Sequence, residues 1–268
     1  MDRLADHLQR VTVVTGGFGS GKTEFALNLA LGMVSRAKPS GKTVALADLD
    51  IINPYFRTRE ASSWLEAHDI KPVVPSGDVF HSDLPVYGPG IINLLQQNDV
   101  YLILDVGGDE MGATALAGIA SHVAAQPHRV LMVVNPYRPF TRNVEEICRM
   151  ARGIQERSRL AIHAFISNPN LSYNTTLHTL AKGHTVVLEA AEKLGVPVLG
   201  ILLWRKFFQA WQDQLSGLSF RVPVIPIDIY LAPGWLKPPT APERSAHRPP
   251  RNLTVSPVQN ENLTVEEC

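Results

Sequence analysis

A doubly wound, mostly parallel α/β sheet with helices on both faces is the fold class this 268-residue sequence predicts. Three observations predict it. Short apolar runs recur along the chain, helical periodicities fill the gaps between them, and most runs are continuous rather than alternating in polarity. A strand covered on both faces needs apolar side chains on both sides of its pleat, so continuity argues for buried parallel strands. Repeated β-α alternation then implies right-handed crossovers within one sheet.

The runs are Val11–Thr15, Thr43–Asp48, Tyr101–Val106, Val130–Asn135, Leu160–Ser167, Val196–Leu202 and Val222–Ile229. In the first intervening helix Phe25, Leu29 and Met33 recur at i, i+4, i+8, which places them on one face toward the sheet. Further helices are expected over Thr58–His68, Thr114–Ala124, Thr141–Arg157 and Thr176–Leu194. From Pro233 onward the composition changes: seven of the twenty prolines fall in the last 36 residues, with few large apolar side chains. Such a segment cannot bury enough surface to offset its ordering entropy. The expected organisation is therefore one domain over 1–232 and a disordered tail over 233–268.

Composition removes several function classes. Lysine plus arginine equals aspartate plus glutamate at 25 each, so no electrostatic reason exists to expect nucleic-acid or acidic-membrane binding. The two cysteines, Cys148 and Cys268, form no CxxC pair, which argues against a disulfide framework, an iron–sulfur cluster and a cysteine zinc site. No run of about 18 apolar residues suggests a membrane span, the amino end lacks a signal-peptide pattern, and Gln259–Cys268 is acidic and not amphipathic. The cytoplasm is the expected compartment.

The chemistry is concentrated after the first run. Gly16-Gly17-Phe18-Gly19-Ser20-Gly21-Lys22-Thr23 fits G-x-x-x-x-G-K-[ST] and stands between a strand and a helix. Glycines let successive backbone N–H groups turn toward phosphates, and the helix N-terminus adds its positive dipole end. These eight residues and the adjoining Glu24 are the expected nucleotide contacts, with Lys22 on the β- and γ-phosphates and the Thr23 hydroxyl on Mg²⁺. Acids at neighbouring strand ends complete the pattern. Tyr101-Leu102-Ile103-Leu104-Asp105 is an apolar strand ending in a carboxylate, and Val106-Gly107-Gly108-Asp109 follows it. There the Gly108 N–H is expected to meet the γ-phosphate. A second strand ends Asp48-Leu49-Asp50, which makes Asp48 a further metal candidate.

With these residues the chain, from about Val11 to Ile229, resembles the MinD/ParA-like (SIMIBI-class) branch of P-loop ATPases, which includes the arsenite-pump and nitrogenase-iron-protein ATPases. The resemblance implies an ATP-binding protein with Mg²⁺, a slow ATPase whose nucleotide state switches a partner protein. It implies that Asp50, with Asp48 as the alternative, orients the attacking water, that Asn53–Phe56 lies in the first switch loop, and that Val134-Asn135-Pro136 with Thr141 is the branch's strand-end Asn-Pro. Ser167-Asn168-Pro169-Asn170 occupies the place where similar proteins read adenine, which assigns Asn168 to the base. The branch's signature lysine is absent, its position being Gly17. A homodimer is thus left open, and the partner protein is unidentified.

Three other readings compete. A GTPase metallochaperone of the hydrogenase- or urease-maturation type shares the loop, but guanine readers present an Asp that Ser167–Asn170 lacks, and the nine scattered histidines read as solvated. An ATP-dependent cofactor-biosynthesis ligase would need a substrate pocket, for which Gly88-Pro89-Gly90 and His81-Ser82-Asp83 are surface-loop candidates. A nucleotide-gated binding module without turnover could dock a partner on Trp204, Phe207, Phe208, Trp211 and Leu215, although such stripes more often face a core.

Overall fold

The computed structural model describes residues 4, 6–49, 59–73, 89–108, 110–218 and 220–231. Asp50, the Asn53–Phe56 loop, His81–Asp83, Asp109 and the 233–268 segment lie outside the described residues. The chain divides into two units, Met1–Pro233 and Gly234–Cys268, and all described residues belong to the first.

Eight strands form one sheet: β1 (Val11–Thr15), β2 (Thr43–Asp48), β3 (Ile70–Val73), β4 (Val100–Asp105), β5 (His128–Val134), β6 (Ala164–Ser167), β7 (Val198–Trp204) and β8 (Val224–Ile227). Their order is β3-β2-β4-β1-β5-β6-β7-β8, and every pairing is parallel. The helices are α1 (Lys22–Ala37), α2 (Arg59–Ala67), α3 (Pro89–Gln96), α4 (Glu110–Ala124), α5 (Val144–Ser158), α6 (Leu177–Leu194), α7 (Arg205–Ala210) and α8 (Gln212–Ser216).

Continuous apolar strands feed two cores at once. On β1, Val11 and Val13 pack into the layer under α3, α4, α5 and α6, while Val14 packs into the layer under α1 and α2. On β2, Ala45 and Ala47 face the first layer and Val44 and Leu46 the second. Phe25, Leu29 and Met33 of α1 are all buried, each contributing about 2 kcal/mol. The doubly wound fold expected from the sequence is the fold observed.

Several boundaries differ. The apolar stretch expected as a strand over Leu160–Ser167 pairs only from Ala164, because α5 runs to Ser158 and Leu160 and Ile162 enter the core as loop residues. The α5 helix starts at Val144, capped by the Asn143 side chain on Glu146 N at 2.9 Å, rather than at Thr141. β3 and α3 were not expected. The Pro89-Gly90 pair read as a surface loop opens α3, where a proline at the first helical position lacks only an N–H that would have had no intrahelical acceptor. The Trp204–Leu215 stripe breaks at Trp211 into two short helices, and its half-buried rings pack with Leu180, Ile201 and Leu203 as a satellite core.

The order of β4-β1-β5 creates the functional geometry. The chain leaves β1 for β2 on one side and leaves β5 for β6 on the other, so crossovers diverge at the carboxyl ends of β1 and β5. Ligands of open α/β sheets bind in the crevice at such a point. The opposite end is closed by Arg10. Its buried guanidinium donates to Gln97 O at 2.6 Å, Gln126 Oε1 at 2.6 Å and Leu95 O, which caps the negative end of α3.

Candidate functional site

The glycine loop lies at this switch point, joining β1 to α1. Gly21 caps α1 with φ 91°, a left-handed conformation that suits glycine, and a Cβ there would collide with Asn168 Nδ2. Three loop carbonyls are pinned. Gly17 O accepts from Ser20 N at 3.0 Å, Gly19 O from Arg138 Nε at 3.1 Å and Ser20 O from Asn168 Nδ2 at 2.6 Å. Two of these donors, Arg138 and Asn168, come from outside the loop, and holding carbonyls outward in this way favours the remaining amides facing an anion. The Ser20 hydroxyl is buried with no hydrogen-bond partner, a polar atom that a phosphate oxygen would satisfy.

Lys22 opens α1 and is buried at 8% exposure, and Thr23 is half-buried beside it. The strand-end acids come together as register neighbours. Asp48 of β2 pairs with Asp105 of β4, and Asp105 in turn neighbours Val14 of β1. Both carboxylates are buried, at 3% and 1% exposure. Two buried carboxylates side by side require compensating positive charge, which a buried lysine and a divalent cation on the same strand ends would provide. The donor set of Thr23, Asp105 and Asp48 fits Mg²⁺, which keeps several waters and takes few protein ligands. Among the described residues no group of three or more His, Cys, Asp or Glu forms a closed metal cage. Gly108 lies against the loop: a Cβ there would come 2.9 Å from Gly17 N and collide with Gly16 O. The turn after β4 therefore touches the P-loop backbone with no side chain between.

Two of the sequence-assigned residues have additional roles. The Glu24 carboxylate accepts from Tyr230 N at 3.0 Å and Leu231 N at 2.6 Å, so its side chain holds the strand exit after β8 rather than facing the loop. Burial pushes this carboxyl up, and the two N–H donors pull it down. One helical turn on, Asn28 exchanges hydrogen bonds with the Asp228 backbone, both at 2.8 Å. Asn168, buried at 3% exposure, is a brace between β6 and the loop. Asn135 plays the matching part at β5, donating to Asn170 O at 2.9 Å and accepting from Tyr137 N at 3.0 Å.

His184 corrects the expectation of solvated histidines. It is 2% exposed on α6, its Nδ1 lies 3.1 Å from Ser167 Oγ, and burial pushes its pKa down to about 4. A lowered folded pKa means stability is complete above the unfolded value near 6.5 and is lost as pH falls toward 4. The expected loss by about pH 4 is about 2 kcal/mol, allowing for water entry around the charged ring. Denaturant unfolding of the parent and His184→Asn at neutral and acid pH checks this: the parent should lose more stability than the variant, and equal losses would reject it.

No family model matches the sequence, and no curated protein matches it. Among solved structures, chloroplast FtsY from Physcomitrella patens matches 71% of this chain and 57% of its own at 19% identity, with a TM-score of 0.48. The signal recognition particle receptor FtsY from Elizabethkingia anophelis in complex with GDP matches 71% and 56% at 20% identity, TM-score 0.47. An apo-form GTPase from Pyrococcus abyssi matches 77% and 94% at 15% identity, TM-score 0.37. The chain spans just over half the length of these FtsY chains. Each is a likeness of chain course, and none bears on what this chain binds. Among the described residues no helix is long and apolar enough to cross a membrane. A glycine loop between β1 and α1, at the switch point of an all-parallel sheet, is the P-loop NTPase architecture, a nucleotide-binding fold.

Proposed function

We propose that the protein binds ATP with Mg²⁺ and hydrolyses it slowly, its nucleotide state switching the interaction with a partner protein. The observation that carries the reading is the buried Asp48–Asp105 pair beside the loop that presents Lys22 and Thr23. Backbone N–H groups of Gly16–Thr23 other than Ser20, with the Ser20 hydroxyl and the Glu24 N–H, would hold the phosphates. Lys22 would reach the β- and γ-phosphates, Thr23 and Asp105 would hold Mg²⁺ with Asp48 supporting it, and the Gly108 N–H would meet the γ-phosphate. The cation would neutralise charge on the phosphoryl group, while Asp50 orients the attacking water.

The acids lie on the β4 and β2 side of β1, which supports assigning Asp48 and Asp105 to the γ-phosphate end of the site. Asn168, which follows β6 on the other side of β1, would then serve the base. Beyond it Tyr173 and Trp204 meet edge to face at 5.3 Å. Adenine is favoured over guanine because Ser167–Asn170 offers no carboxylate to the guanine edge.

Calorimetry of the full chain with MgATP and MgGTP side by side tests the assignment. ATP should bind at least about tenfold more tightly, the discrimination one unmatched polar edge supplies. Preference for GTP would replace this reading with that of a GTPase.

A further inference from the structure

The outer ridge of α5 carries features that nucleotide binding does not use. Arg149, Arg152 and Arg157 stand exposed along it in a chain of zero formal net charge. Three acids share the helix with them, and exposed Glu156 also lines a hollow beside Gly153. Glu145 pairs with Lys193 at 3.1 Å, and Glu146 accepts from Arg142 N at 2.8 Å and Asn143 Nδ2 at 3.2 Å at the helix start. Between Arg149 and Arg157 the ridge drops to Gly153. Glycine inside a helix costs about 1 kcal/mol relative to alanine, and nothing in the packing demands it: a Cβ at Gly153 would meet only the Arg157 guanidinium, at an ordinary 3.5 Å. The notch joins two hollows of about 510 and 660 Å³, both lined by Arg149, Gly153 and Arg157.

At the loop end of this ridge two large apolar side chains face solvent. Phe140 is 76% exposed and lines the first hollow, and Phe18, at the tip of the P-loop, is 81% exposed. The same hollow is floored by Gly108 and Met150, and a Cβ at Gly17 would lie 2.9 Å from Met150 Cε. A cationic ridge with a backbone-sized notch and an exposed aromatic anchor has the chemistry of a peptide-binding surface.

We propose that the α5 ridge docks an acidic segment of a partner protein, whose carboxylates meet Arg149 and Arg152, whose backbone crosses at Gly153, and whose apolar side chain rests on Phe140. The surface stands on α5 and its flanking rings, whatever nucleotide the neighbouring loop binds. The test uses the full chain and a fluorescein-labelled octapeptide of glutamate and leucine, EELEELEE, with its lysine-for-glutamate counterpart and an oligouridylate as controls. Fluorescence anisotropy should show binding of the acidic peptide that weakens with salt. Gly153→Leu and Arg149→Glu should each weaken it about tenfold, as expected for a filled notch and a reversed charge. Leucine is a better helix former than glycine, so Gly153→Leu should melt no lower than the parent, and its loss of binding is then not unfolding. Absence of peptide binding, equal binding of the lysine peptide, tighter binding of the oligouridylate, or unchanged affinity in both variants would each overturn the proposal.

Discussion

Lys22→Ala should weaken ATP binding by about two to three orders of magnitude, the loss of two charge-assisted contacts on the β- and γ-phosphates. The side chain is buried where the sheet's crossovers diverge, so bulk water cannot substitute for it at full strength. Alanine is the best helix former, and Lys22 is the first residue of α1, so the substitution leaves the helix able to form. Fluorescent-ATP titration measures the loss, and a melting curve of the apo protein checks that the fold persists. An unchanged affinity in a folded variant would remove the P-loop reading, and with it the assignment of Thr23 and Asp105 to the metal.

What the sequence disclosed and what it hid divide by range. The loop and the strand-end acids are local signals: each needs only a short motif and an adjoining apolar run, and Gly16–Thr23, Asp48 and Asp105 are found at the ends of β1, β2 and β4. Contacts between distant residues had no local trace. Glu24 meets Tyr230 and Leu231 across more than two hundred residues, and Asn168 meets Ser20 across 148. A carboxylate next to a P-loop threonine reads as part of the loop until the strand exit that occupies it is known. His184 was hidden similarly, since its partner Ser167 comes from another element. β3 escaped notice because Ile70-Lys71-Pro72-Val73 is short and contains a proline, which only an edge strand tolerates, and β3 is that edge. The satellite core around Phe207 and Trp211 arises from two short helices rather than the single one its spacing suggested.

Asp50→Asn should retain MgATP affinity and lose most hydrolysis, whereas Asp105→Ala should lose the Mg²⁺-dependent part of binding. The distinction follows from how β2 and β4 end. The Leu49 N–H donates to Asp105 O at 2.8 Å, so the β2 exit is fastened to the β4 exit one residue before Asp50. Asp105 is locked on its strand beside β1, which suits a metal-supporting group that acts in ground and transition states alike. Asp50 is the next residue in the chain, and the proposed function gives it the attacking water. Orienting water contributes only when the nucleophile attacks, so its removal lowers turnover without lowering affinity. The expected fall is about a hundredfold to a thousandfold, the scale of a positioned base. Parent turnover should itself be slow and should rise with a partner. Phosphate release under saturating MgATP, alone and with the candidate partner, reads both variants. If Asp50→Asn hydrolyses ATP like the parent, Asp48 or Asp109 inherits the water. If the parent releases no phosphate under any condition, nucleotide binding gates a partner without turnover, and the buried acid pair serves affinity alone.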